Sequence, residues 1–187
     1  MNMGMNSSRM ALLAGILALG LAAPATADAG DCAATASVAW TQAGADYSIE
    51  AFSHGKVCAN AVVVIVAYAP DDTILMVEAF PASQMMLSAG APTSDDMGKA
   101  LADWINQDSA TLRMSADLPE WTAELDMPML GDFAFMPAEG FDRDYYNALR
   151  AENRPLLCFV QGMESMACHA LAPEGFMFPV GIQTFPG

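Results

Sequence analysis

Four cysteines, Cys32, Cys58, Cys158 and Cys168, constrain this chain more than any other feature, because two of them sit in a self-pairing segment. Leu156-Leu157-Cys158-Phe159-Val160 and Met166-Ala167-Cys168-His169-Ala170 flank Gln161 to Ser165. A hairpin centred on Met163 sets Cys158 opposite Cys168. Directly opposed residues on antiparallel strands stand ~4.5–5.5 Å apart, within disulfide reach. Cys32 then pairs with Cys58 by elimination and ties the start of the mature chain to its body.

The compartment supports oxidation. Residues 1–27 read as an export signal: a short polar start carrying Arg9, an apolar block from Met10 to Ala23, and Pro24-Ala25-Thr26-Ala27 with small residues where a signal peptidase cuts. Cleavage is expected between Ala27 and Asp28. The apolar block of fourteen residues spans about 21 Å as a helix, short of the ~30 Å hydrocarbon core, so it is read as a signal and not an anchor. Asp31 before Cys32 argues against a lipidated N-terminus, and no twin arginine precedes the block. An even cysteine count in an exported chain reads as two structural disulfides. The absence of Cys-x-x-Cys removes a thioredoxin-like centre, and cysteines 26 and 10 positions apart do not make a four-sulfur zinc site.

Cleavage removes one arginine and no acid. It leaves six Lys and Arg against 22 Asp and Glu, a formal charge of −16 on residues 28–187. Such a surface repels phosphate backbones and anionic lipid heads, so neither nucleic-acid binding nor stable membrane association after cleavage is expected. The remaining length is that of one domain able to bury its own core.

Periodicity predicts an α+β domain with a mostly antiparallel sheet built from hairpins, two helices and two disulfides. Ala36–Thr41 and Asp46–Ser53 alternate as a strand pair. Ala61–Ala69 (AVVVIVAYA) is apolar at almost every position, which predicts a central strand covered on both faces. Thr73–Phe80 follows the turn at Pro70-Asp71-Asp72. Thr93 or Ser94 caps a first helix over about 94–107, with Met97, Leu101, Trp104 and Ile105 on one stripe. Thr111–Asp117 and Glu120–Met127 alternate as a strand hairpin. Asp142 caps a second helix over about 142–152, with Phe141 stapled to Tyr146, Tyr145 and Leu149 on one face, and Pro155 as its stop. The disulfide hairpin and a last strand over 176–185 complete the chain.

Residues that carry chemistry are few. His54, in Ser53-His54-Gly55-Lys56, and His169, beside Cys168, are the two histidines. Carboxylate pairs such as Asp71-Asp72 and Glu120/Glu124 are available for acid–base work, but adjacent acids in turns ordinarily serve backbone hydrogen bonding. Gly162-Met163-Glu164-Ser165-Met166 places its serine fourth and ends in Met, so it is not a nucleophile elbow. Met163, Met166 and His169 are the thioether and imidazole set that would suit Cu(I) if the hairpin turned all three inward. No phosphate-cradling, dinucleotide, calcium-loop or zinc-protease motif occurs, and no cofactor is expected.

The sequence therefore predicts a periplasmic or secreted protein that is not an enzyme and binds a protein or small-molecule partner or acts structurally. Trp121, Tyr145, Tyr146 and the run Phe133–Pro137 are candidates for an apolar contact surface. The alternatives are a hydrolase using carboxylates or His54 in a pocket, and a Met/His copper protein.

Overall fold

A turn at Gly44, whose φ of 80° suits a residue without a side chain, folds β1 (Ala34–Gln42) onto β2 (Ala45–His54) in unbroken antiparallel register. β3 (Val62–Tyr68) and β4 (Ile74–Pro81) continue the meander, giving a four-stranded sheet in chain order. A computed structural model describes residues 31–42, 44–106 and 110–185. The export signal and its cleavage site at Ala27–Asp28 lie outside them.

The second sheet has six strands. Across it run β5 (Ala110–Met114), β8 (Pro155–Gln161), β9 (Ser165–Leu171), β10 (Met177–Thr184), β7 (Phe133–Pro137) and the two-residue β6 (Met129–Leu130). Every pairing in both sheets is antiparallel. Gly181 on β10 is required by close approach: a Cβ there would collide with the Met136 carbonyl and the Phe135 ring.

Two helices complete the fold. α1 (Ser94–Trp104) begins where the Thr93 hydroxyl accepts the Asp96 N–H, and Asp95 and Asp96 favour its positive end. Its buried residues Met97, Leu101 and Trp104 pack into the space between the sheets, and the Trp104 indole N–H donates to the Val160 carbonyl at 2.7 Å. α2 (Arg143–Glu152) is capped by Asp142, which accepts the Tyr145 N–H, and ends at Asn153 in the left-handed conformation.

Two cores result, one on each face of the six-stranded sheet. The first joins Ile49, Val63 and Ile65 of the four-stranded sheet to Leu157, Phe159 and Ala167 of the six-stranded one. The second sets Leu156, Ala170 and Val180 against Tyr146 and Leu149 of α2. Both disulfides are formed as expected, Cys32–Cys58 with Cα atoms 4.9 Å apart and Cys158–Cys168 at 4.1 Å. Cys158 and Cys168 are direct partners in the β8–β9 register and lie in the second core.

The two helices, the antiparallel strands and the disulfides agree with the sequence reading, and four details do not. First, Glu120–Met127 forms no strand. Asn147 of α2 brackets Trp121, accepting its N–H at 3.3 Å and donating to its carbonyl at 2.9 Å, and just before the segment the Tyr146 hydroxyl donates to the Pro119 carbonyl. Backbone groups of Trp121 satisfied this way gain nothing from a ladder. Second, β6 and β7 supply the hairpin that the reading missed, using the Phe-rich run. Third, the buried face of α2 is Tyr146 and Leu149, while Tyr145 is exposed and meets the Phe141 ring with centroids 4.7 Å apart. Fourth, no described helix or sheet packs on the outward side of β3, where Val62 is exposed, Val64 and Tyr68 are partly exposed and Val66 is buried.

Candidate functional site

The uncovered face of β3 follows from its sequence. Val63, Ile65 and Ala67 point into the first core, so the alternate residues Val62, Val64, Val66 and Tyr68 point outward. The register sets Phe52 of β2 and Val77 and Ala79 of β4 on the same outward side. Antiparallel sheets with one solvated face ordinarily carry polar residues there. Here Val62, Ile74 and Val77 are 44%, 56% and 54% exposed, and no other described element covers them. The six-stranded sheet differs, since α2 shields its outer face.

Charge on this outward surface is one-sided. Asp46 and Glu50 project from β2 on the outward side, and Asp71 and Asp72 occupy the β3–β4 turn at the same end of the sheet. The Tyr68 hydroxyl donates to Glu50 Oε2 at 3.2 Å, and burial together with that carboxylate raises its pKa. The hydrogen bonds of the Asp71 carboxylate to Thr73 hold its pKa below the usual range. Lys56, near the opposite end, is the sole Lys or Arg between residues 31 and 92. The surface is thus an apolar field of Phe52, Val62, Val64, Ile74 and Val77 with an acidic border at one end.

The histidines take other roles. His54 is the exposed last residue of β2. His169 lies on the inner face of β9, 6% exposed, its ring stacked on Phe159 at 5.6 Å and its Nε2 3.3 Å from Oε1 of Glu78. Burial depresses its pKa, and the carboxylate of Glu78 opposes that shift. A histidine and an acid are therefore within reach of each other, as a hydrolase would need, but inside the packing between the sheets and not in a cleft. Glu78 has no sequence signal, because only the packing of one sheet on the other joins it to β9.

Met163, Met166 and His169 are not brought together. Met163 is exposed in the hairpin turn, Met166 packs against the second core, and His169 faces the first. Positions 166 and 169 fall on opposite sides of the strand, so the copper set has no common focus. Among the described residues no group of three or more His, Cys, Asp or Glu is placed to hold a metal ion. Of the aromatic candidates, Tyr146 is fully buried, Trp121 packs edge-on against it at 5.9 Å, and Tyr145 is 54% exposed on the α2 side.

Two hollows involve the six-stranded sheet. A cavity of about 30 Å³ lies over the Cys158–Cys168 disulfide, beside Met166, Phe135 and Gln183, a volume suited to a water molecule or two and not to an organic ligand. An open groove of about 520 Å³ runs between Asp132, Phe133, Glu164 and Phe185. Neither includes a histidine; the groove carries two carboxylates, Asp132 and Glu164, and the cavity is bordered by Arg113 and Asp117.

No family model, curated protein or solved structure matches the chain. Function is therefore argued from its own surface. Among the described residues no helix is long and apolar enough to cross a membrane.

Proposed function

We propose that this is an exported, non-catalytic binding protein that docks a partner protein on the outward face of its four-stranded sheet. The partner's contact surface would be apolar and flanked by Lys or Arg. The observation that carries this reading is the exposure of Val62, Ile74 and Val77 on a sheet face that nothing described covers. The two disulfides support an oxidising compartment, which agrees with the export signal read from residues 1–27.

Magnitudes favour a basic partner over a second copy. Burying five half-exposed apolar side chains gives on the order of 5 kcal/mol, comparable to the ~4–15 kcal/mol lost in association. Apolar contact alone therefore leaves little surplus, and charge must supply rate and orientation. A second copy offers Lys56 against Asp46, Glu50, Asp71 and Asp72, and opposes one formal charge of −16 to another. A Lys- or Arg-bordered surface reverses both effects.

A photo-cross-linking residue at position 77, with position 145 as the control, tests this in the exporting cell. The expected result is an adduct with a different protein, through an apolar segment bordered by basic residues. Its yield falls several-fold in D71K/D72K and in high salt. An adduct joining two copies of this chain, or no adduct at 77 beyond that at 145, overturns the proposal.

A further inference from the structure

Phe159, Leu157, Ile65 and Ala51 line an interface between the two sheets that is almost wholly apolar. Through it, among the described residues, a polar contact runs between strands of the two sheets, from Glu78 on β4 to His169 on β9. Glu78 stands in register with Ile65, so its stem starts on the inner face, while its side chain remains 39% exposed. His169 is enclosed: β8 and β10 flank it, with Leu157 and Pro179 as register partners, and Phe159 covers one face of its ring. Its Nδ1 is buried and has no hydrogen-bond partner.

That orphan atom decides what protonation does. In the neutral ring with the proton on Nε2, Nδ1 is only a weakly demanding acceptor. Once Nδ1 takes up a proton it becomes a charged donor with no acceptor in reach. A buried donor left unpaired costs about 1–3 kcal/mol, and more when charged. Glu78 offsets part of the charge from the Nε2 side but does not reach the new N–H.

We propose that His169 is an acid-sensitive latch between the sheets: neutral, it closes the seam between β4 and β9 through Glu78, and protonated, it opens that seam so that water can reach Nδ1. The charge that acts on it is that of Glu78. Apart from the disulfide cysteines, β8, β9 and β10 carry none. Asp46, Glu50, His54 and Tyr68 of β2 and β3 belong to the outward face, Tyr47 of β2 lies on the inner face partly buried against the first core, and Glu78 is the sole titratable residue of β4. Asp95, Asp96, Lys99 and Asp103 of α1 lie outside the core.

The sign follows from linkage. The folded-state pKa of His169 lies below its unfolded value, so the unfolded or opened chain binds the proton more readily. The stability conferred by the latch is complete above the unfolded value of about 6.5 and is lost as pH falls through it toward the folded pKa. Exported chains meet that range of external pH.

The test combines an NMR titration of the His169 ring in the wild-type protein with amide exchange, corrected for intrinsic rate, at about pH 7 and about pH 5. The expected result is titration below the unfolded value, with protection lost at β4 and β9 before β1 and β2. In H169Q, which keeps a donor for Glu78 and does not titrate, the pH-dependent loss at β4 and β9 disappears. In E78Q the ring titrates lower still, and the acid-driven loss at β4 and β9 grows, because the gap between closed and open pKa values widens. Titration at or above the unfolded value, or loss that is uniform across the sheets, overturns the latch. If H169Q does not fold, the wild-type titration and exchange pattern decide alone. These readouts are independent of whether a partner binds the outward face.

Discussion

Replacing Ser115 by alanine tests how the end of α2 is held. Ser115 is fully buried in a one-turn 3₁₀ segment after β5. Its hydroxyl donates to the Leu149 carbonyl at 2.7 Å and accepts the Arg154 N–H at 2.8 Å, and its own N–H donates to the Arg154 carbonyl at 2.7 Å. The side chain thus caps a helix C-terminus from outside the helix, partnering one of the carbonyls that a helix end leaves open and the N–H of the residue just past the cap. S115A removes no packing of consequence but orphans one buried carbonyl and one partly buried N–H. At about 1–2 kcal/mol for each, the expected loss is about 2–4 kcal/mol, or roughly 5–15 °C in melting temperature for a domain of this size. Urea titration with unchanged slope, alongside calorimetry, measures it. Faster exchange at the Arg154 amide would localise the effect. A loss below about 0.5 kcal/mol, with Arg154 still protected, would refute the capping argument.

Other substitutions probe the rest of the architecture. G181A drives a Cβ into the Met136 carbonyl and the Phe135 ring, so it should cost more than about 2 kcal/mol by urea unfolding, whereas G90A, where a Cβ meets nothing, should stay near neutral. Replacing both Cys158 and Cys168 by alanine should cost about 3 kcal/mol, and replacing Cys32 and Cys58 slightly more because the closed loop is longer, measured by the same titration. D142A should lower stability by about 1 kcal/mol through loss of the cap on Tyr145, read from the unfolding midpoint. V77D on the outward face should change stability by less than about 0.5 kcal/mol, while I65D on the inner face of the neighbouring strand should prevent folding, as circular dichroism would show.

What could be read from the chain depended on whether the signal was local. The hairpin around Met163 carried its register in the spacing of Cys158 and Cys168, and both helices carried caps and stops within a few residues of their ends. The face that α2 buries was less legible: Tyr145 and Tyr146 are adjacent and chemically alike, and contacts with Trp121 and Phe135 select the second of them. The segment from Glu120 to Met127 alternates like a strand, yet Asn147 takes the backbone groups of Trp121 and Tyr146 the carbonyl of Pro119 just before it, a competition no local pattern reveals. In β3, AVVVIVAYA gave the apolarity of both faces but not the fact that no described helix or sheet packs on the outward one. The contact between Glu78 and His169 was invisible for the same reason, since it exists only after two sheets meet.

The parity of β9 has one more consequence. Cys168 and His169 are neighbours, so the strand sends the disulfide into one core and the imidazole into the other. A slip of one residue would exchange them, carrying the imidazole under α2 and the thiol between the sheets. In the slipped hairpin Cys168 would no longer oppose Cys158, and the sulfur atoms would project from opposite sides of the sheet. Oxidation therefore acts as a proofreading step: the bond that closes the hairpin records that His169 faces Glu78.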